Sequence, residues 1–304
     1  MEMQTKENNL SKLNNLKAIK IVLLFFSLFV LIMLLPSFSK KLPKVKNPEK
    51  SSNETEYLAM CLKTGMETMI DRVPMQLMTF LKNENLMIIS DYEESIAGIE
   101  VINVLPLQVQ RITFPKYRHA KSILEDEQSP DQKGGWRLDT HKNIPGFRRM
   151  YYEFPNAYWY IMFDDDSYIF KNNLISHLKT LDHTQPLYLG NGLGLSTCGD
   201  NSVGGLFAHG GSGIVLSRIA LEKVLPIMDK CNQKFGKCFA GDMMLAFCLH
   251  DAGILLDSIK SQFDFRGSPF HKEAFRDACD MTFFFHHLFP YQIKQLYDLN
   301  GSAA

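Results

Sequence analysis

Trp159-Tyr160-Ile161-Met162-Phe163-Asp164-Asp165-Asp166 is the stretch on which the fold turns: a run of large apolar side chains leads without a break into three carboxylates. Such a run suits a strand buried on both faces of a sheet. In open α/β sheets ligands sit beyond the C-terminal ends of the strands, where these acids would project. Adjacent like charges repel unless a cation joins them, and hard carboxylate oxygens suit Mg²⁺ or Mn²⁺, which can bridge to a diphosphate. Taken alone, an acidic triplet reads equally as a solvated turn capping the next helix. Two other acid-rich chemistries fail on spacing. A DDxxD ionisation motif needs an acid where Tyr168 stands, and an aspartate-nucleophile phosphatase needs Thr or Val there.

Outward from this strand, short apolar runs alternate with helical patterns, as in an α/β domain. Strands are expected at Tyr57 to Leu62, Leu86 to Ile89, Tyr158 to Phe163 and around Leu187 to Leu189. Helices are expected at Asp71 to Lys82, with Pro74 in its first turn, and at Asn172 to Leu181, Ser217 to Leu225 and Asp242 to Asp251. At 304 residues the chain can bury one large core. Its 33 basic and 33 acidic residues cancel, and no segment forms a basic stripe, so nucleic acid is not an expected partner. The cysteines are Cys61, Cys198, Cys231, Cys238, Cys248 and Cys279, with no zinc-site spacing; the number fits a few bridges in a secreted enzyme. Cys231 and Cys238, flanking a short loop, are the expected disulfide.

The strongest compositional break is the apolar run Ile21 to Leu35, interrupted only by Ser27. It sits at the short end of what spans a bilayer of roughly 30 Å. The long polar leader and the exit Leu35-Pro36-Ser37-Phe38-Ser39-Lys40, which lacks a small-x-small site, favour an uncleaved anchor over a signal peptide. Lysines flank both sides, so the positive-inside count does not orient it. All cysteines follow the run, as do the sequons at Asn53 and Asn300, which favours a luminal C-terminus in the Golgi or endoplasmic reticulum. The expected organisation is a cytosolic tail (1–18), an anchor (19–38), a stem (39–56), a folded domain (57–297) and a short tail (298–304).

Three further stretches carry candidate chemistry. In Phe207-Ala208-His209-Gly210-Gly211-Ser212-Gly213, three glycines in four positions allow close backbone approach to a ligand, or a plain tight turn. The spacing is not that of a dinucleotide fingerprint. Asp242, in Cys238-Phe239-Ala240-Gly241-Asp242, opens an amphipathic helix as its N-cap or serves as a general base. Phe283-Phe284-Phe285-His286-His287 reads as an aromatic strand ending in two imidazoles, which alternation sends to opposite faces, so one at most enters a site.

In this order the motifs resemble those of the fringe-like branch of glycosyltransferase family 31, together with Gly135-Trp136-Arg137-Leu138-Asp139-Thr140-His141-Lys142; the likeness runs from Tyr57 to Tyr297. The resemblance implies a GT-A fold: a single luminal α/β domain with a Rossmann-like mixed sheet flanked by helices. It implies an inverting, Mn²⁺-dependent transferase (Mg²⁺ being the alternative ion) that moves a hexosyl or N-acetylhexosaminyl group from a UDP-sugar to a glycan or glycoprotein hydroxyl in a β1,3 linkage. Carried over residue by residue, it makes Asp166 and His286 metal ligands and Asp242 the catalytic base. Asp164, Asp165, Gly210, Gly211, Gly213, Lys63, Thr64 and Asp91 become donor-binding residues. One departure stands out: many fringe enzymes carry a pair of acids where this chain has Gly241-Asp242. The competing expectation is a catalytically silent luminal protein of the same fold that binds glycans or escorts another transferase. The presence of the triplet, Asp242 and His286 weighs against it.

Overall fold

The computed structural model describes residues 57–105, 138–195, 197–258 and 282–302. The apolar run, the stem, the sequon at Asn53, the loop 111–133 and Cys279 lie outside these residues. Among the described residues no helix is long and apolar enough to cross a membrane.

In chain order the elements are β1 (Leu58–Lys63), α1 (Met69–Met78), β2 (Leu86–Ser90), β3 (Glu94–Ile96), β4 (Ile99–Asn103), α2 (Asn143–Glu153), β5 (Trp159–Asp164), β6 (Tyr168–Ile169), α3 (Lys171–Leu178) and β7 (Tyr188–Gly190). There follow β8 (Gly192–Gly194), β9 (Thr197–Cys198), β10 (Asn201–Ser202), β11 (Leu206–Ala208), a 3₁₀ turn (Gly210–Ser212), β12 (Ile214–Ser217), α4 (Arg218–Val224), α5 (Met228–Lys234), α6 (Gly241–Asp251), β13 (Leu256–Ser258), β14 (Phe284–Phe285) and α7 (Pro290–Ser302).

Eight strands form one mixed sheet in the order β13-β7-β12-β5-β1-β2-β4-β3. Strand alternation splits its side chains between two apolar layers. Ala59, Cys61, Tyr160, Met162 and Leu216 face a core with Ile144, Phe147 and Met150 of α2 and Phe247 of α6. Met60, Leu62, Trp159, Ile161, Phe163 and Val215 face the opposite core, with Val73 of α1, Leu174 of α3 and Phe284 of β14. The sheet is therefore covered on both faces, which is why β5 reads as an unbroken apolar run rather than an alternating one.

Register places the chemistry. β1 pairs in parallel with β5 and β2, with Lys63 opposite both Asp164 and Ile89. Lys63, Asp91 and Asp164 thus leave the sheet at one edge. β12 runs antiparallel between β5 and β7, with Ile214 opposite Met162 and Gly190, so the glycine segment just before it enters at that same edge.

The four expected strands and four expected helices are all present, with shifted ends. Turn bonds from the Gly65 carbonyl to the Thr68 and Met69 amides start α1 two residues earlier than Asp71, which leaves Pro74 inside the helix. Helix α2 was not among the expected elements; it carries Pro145 and Gly146 near its start. Pro is tolerated in a first turn, where no intrahelical donor is required. Gly146 lets the helix sit directly on the sheet, for a Cβ there would stand 2.6 Å from Ile89 Cδ1 and 2.7 Å from Met162 Cε. Helix α7 continues to Ser302, through the segment expected to be a tail, and Asn300 on it donates to the Tyr168 hydroxyl at 3.4 Å.

Candidate active site

The three adjacent acids avoid mutual repulsion by taking different partners. Asp164, at the end of β5, has Oδ1 3.1 Å from the buried Lys63 ammonium. Asp165 turns back under the β1–α1 loop, where one oxygen accepts from Thr64 Oγ1 and Thr68 Oγ1 at 2.6 Å each and the other from Arg72 at 2.8 Å. Gln76 donates to the Asp165 backbone carbonyl. Both carboxylate oxygens of Asp165 are thereby engaged inside the protein, and Thr64 directs its hydroxyl to one of them. Asp166 faces the other way, toward His286 Nε2 at 3.0 Å and His287 Nδ1 at 3.9 Å, with Arg72 3.4 Å from its second oxygen.

His286 is buried where a Cβ on Gly211 would fall inside its ring, so only glycine at 211 lets the imidazole reach Asp166. Gly213 takes φ +87°, a left-handed conformation that favours glycine, and seats its backbone against the Phe284 ring. Ser167 Oγ donates to the Gly211 carbonyl at 2.7 Å, tying the acidic turn to the glycine segment. The expectation that the two histidines point apart is corrected. β14 ends at Phe285, and His287 adopts φ +59°, which breaks the alternation and brings its Nδ1 to the same carboxylate as His286.

These residues suit a divalent cation. One ligand atom each from Asp166, His286 and His287 lies within 4.8 Å of the others. Asp166 Oδ1 and Asp164 Oδ1 are buried without a hydrogen-bond partner, although His286 and Lys63 stand close to them. Orphaned carboxylate oxygens beside imidazole nitrogens are a donor set for Mn²⁺ or Mg²⁺. The titration directions agree. Burial pushes Asp164 up to about 6 despite the Lys63 ammonium. For His286 burial favours the neutral ring, yet Asp166 and Asp164 hold it above the ordinary histidine value, a field that equally attracts a metal ion.

A second layer of charge braces this edge. Lys63 donates to Asp139 Oδ2 at 2.6 Å. Lys142, just before α2, reaches Asp91 Oδ1 at 2.8 Å and the Thr64 carbonyl at 2.8 Å. Burial would strip Lys63 of its proton, but Asp139 and Asp164 keep it charged; against burial, Lys63 and Lys142 hold Asp139 below the usual carboxylate range. Asp91 is thus committed to Lys142 and to the Met66 amide at 3.3 Å. Asp139, Lys142 and Arg72 were not singled out as site residues, because single charges next to helix starts carry no periodic signal.

Asp242 closes the site from the other side. The N-cap of α6 is Ala240, so Asp242 is not the cap but a first-turn residue. Its Oδ2 accepts from the Gly210 amide at 2.9 Å and its Oδ1 from the Met243 amide at 2.8 Å. Burial outweighs both bonds and raises its pKa. Two disulfides hold this helix, and neither joins Cys231 to Cys238. Cys198 of β9 bonds Cys238, four residues ahead of Asp242, and Cys231 of α5 bonds Cys248 on α6. Cys231 lies on the face of α5 that packs against α6, whereas the turn after Phe235 swings Cys238 toward the β9 hairpin.

Carboxylates, histidines and a helix-borne acid gathered at the strand ends of a covered mixed sheet form a ligand site of the kind α/β enzymes build there. The sequence profile of the family described as Fringe-like matches residues 57–264, and the chain belongs to that family. Among solved structures, the chain is similar to a glycosyltransferase involved in the glycosylation of the major capsid of PBCV-1. The two share 10% identity at a TM-score of 0.35, over 78% of this chain and 99% of that one.

Proposed function

We propose that this glycosyltransferase is Mn²⁺-dependent and inverting, and that it passes a sugar from a UDP-sugar to a hydroxyl of a glycan or glycoprotein in a β1,3 linkage. It works from the luminal side of the Golgi or endoplasmic reticulum membrane, behind a type II anchor. The observation that carries this reading is the placing of Asp166 and His286 at the same sheet edge as Asp242, with Lys63, Gly210 and Gly211 between them. Asp166 and His286, with His287, would hold the ion, which when bound neutralises a diphosphate and makes it a better leaving group. Lys63 and Arg72 supply further positive charge at that end.

Asp242 takes the proton from the acceptor hydroxyl. That oxygen forms its bond to the anomeric carbon as the carbon–oxygen bond to UDP breaks on the opposite face, inverting the configuration. The Gly210 and Met243 amides fix the Asp242 carboxylate in one orientation, and burial raises its basicity.

The test is UDP release and sugar transfer by the full chain in detergent, across a panel of UDP-sugars with and without Mn²⁺. Manganese-dependent release from one donor, increased by acceptor, is the expected result. Release unaffected by EDTA would overturn the metal assignment. A folded protein that binds UDP and transfers nothing would favour the silent glycan-binding reading.

A further inference from the structure

On the glycosyl-transfer reading above, the transferred sugar must lie between the diphosphate end, at Asp166 and His286, and the base, Asp242. Asp139 borders that space from a third side. Its Oδ2 accepts from Lys63 Nζ, the same ammonium that stands 3.1 Å from Asp164 Oδ1. Its backbone carbonyl packs against the start of α6, where a Cβ on Gly241 would stand 2.8 Å from it. Gly210 links the two ends: a Cβ there would be 3.5 Å from Asp242 Oδ2 and 3.8 Å from Lys63 Nζ. Asp242 and Lys63 therefore meet at Gly210, and Asp139 is joined to them through Lys63.

What separates Asp139 from the other acids of this edge is unused capacity. The side chains of Asp91 and Asp165 are 5% and 6% exposed and consumed by internal partners, whereas that of Asp139 is 32% exposed. Its Oδ1 has the Lys142 ammonium at 3.9 Å, beyond hydrogen-bond reach, and accepts no hydrogen bond from the described residues. A carboxylate held by one oxygen on Lys63 and partly exposed can only accept, and a sugar presents donors.

We propose that Asp139 is a sugar-recognition residue: its Oδ1 accepts a hydrogen bond from one hydroxyl of the transferred sugar and selects donors that carry that hydroxyl. A donor lacking it would leave a partly desolvated carboxylate unpaired, which is the strong form of discrimination. Lys63 sets the position of the carboxylate, and on this proposal UDP alone makes no bond to it.

The experiment uses the full chain in detergent, the UDP-sugar that the wild type turns over, and the set of monodeoxy analogues of that sugar. The wild type should lose roughly ten- to a hundred-fold in kcat/KM with one particular analogue. Asp139→Ala should lose about as much with the intact donor and little more with that analogue, because both changes remove the same bond. UDP alone should bind both proteins equally in Mn²⁺, which also reports that the variant is folded. Additive losses across every deoxy analogue would overturn the assignment. So would a parallel loss of UDP affinity, since Asp139 would then act through Lys63 on the metal carboxylates. A wild type that transfers from no UDP-sugar would remove the glycosyl-transfer reading and this proposal with it, whereas the other adverse outcomes strike Asp139 alone.

Discussion

Asp242 accepts two backbone N–H bonds, which would ordinarily lower a carboxyl pKa, yet burial outweighs them and the net direction is upward. As the proposed base, Asp242 must be ionised to accept a proton, so activity should be lost as pH falls through this raised value. The acid limb of kcat/KM should therefore lie above the range of an ordinary aspartate, measured by transfer rate against pH at saturating metal. Asp242→Asn keeps an oxygen for the Gly210 amide while removing the charge. It should leave UDP affinity nearly unchanged and cut turnover by roughly 10² or more; wild-type turnover in this variant would reduce Asp242 to a structural first-turn acid. At this scale the candidates were legible where residues sit in an ordered pattern, as Asp164 to Asp166 and His286 do, and the fold brings Asp166 and His286 together. They were not legible where a backbone twist decides, as at His287, or where partners meet only through the sheet register, as Lys63 and Asp139 do, 76 residues apart.

The glycine segment before β12 illustrates how an element supports the site through its backbone. Gly211 leaves room for His286, and Ser167 holds that backbone in place by a bond to the Gly211 carbonyl. Gly211→Ala should push the imidazole away from Asp166 and weaken Mn²⁺ affinity roughly ten- to a hundred-fold, the cost typical of disturbing the support of a metal ligand. Calorimetric titration of Mn²⁺ would read it; unchanged affinity would exclude His286 as a ligand. The strands were readable from their apolar runs because the sheet is buried on both faces. Helix α2 was not expected; Pro145 and Gly146 are poor helix formers, and the close packing on Ile89 and Met162 that Gly146 allows is not visible in sequence. The disulfides were misread because proximity in sequence ignores which helix face a cysteine occupies. Closing spans of 17 and 40 residues, these bridges contribute about 3 and about 4 kcal/mol in the chain-entropy picture.

Across the described domain the two ends of the site are secured by different chemistry. The metal end is held by ion pairs and hydroxyls around Asp164, Asp165 and Lys63, and the base end by the two disulfides on either side of Asp242. Replacing Cys231 and Cys248 together by Ala should consequently lower turnover and thermal stability while UDP–Mn²⁺ affinity persists, a split that uniform unfolding would not give. The same arrangement bears on where the protein works. The two bridges beside Asp242, the proposed base, fit the oxidising compartment proposed above, because cytosolic thiols generally keep such pairs reduced. The apolar run Ile21–Leu35 precedes the whole domain in sequence, so an uncleaved anchor there, inserted with its C-terminal side inward, would deliver the domain to the lumen. In intact microsomes the domain of the full chain should resist added protease, and it should be digested once detergent opens the vesicles. Digestion in sealed vesicles would place it on the cytosolic face, where neither bridge would survive and the base end would lose its clamp.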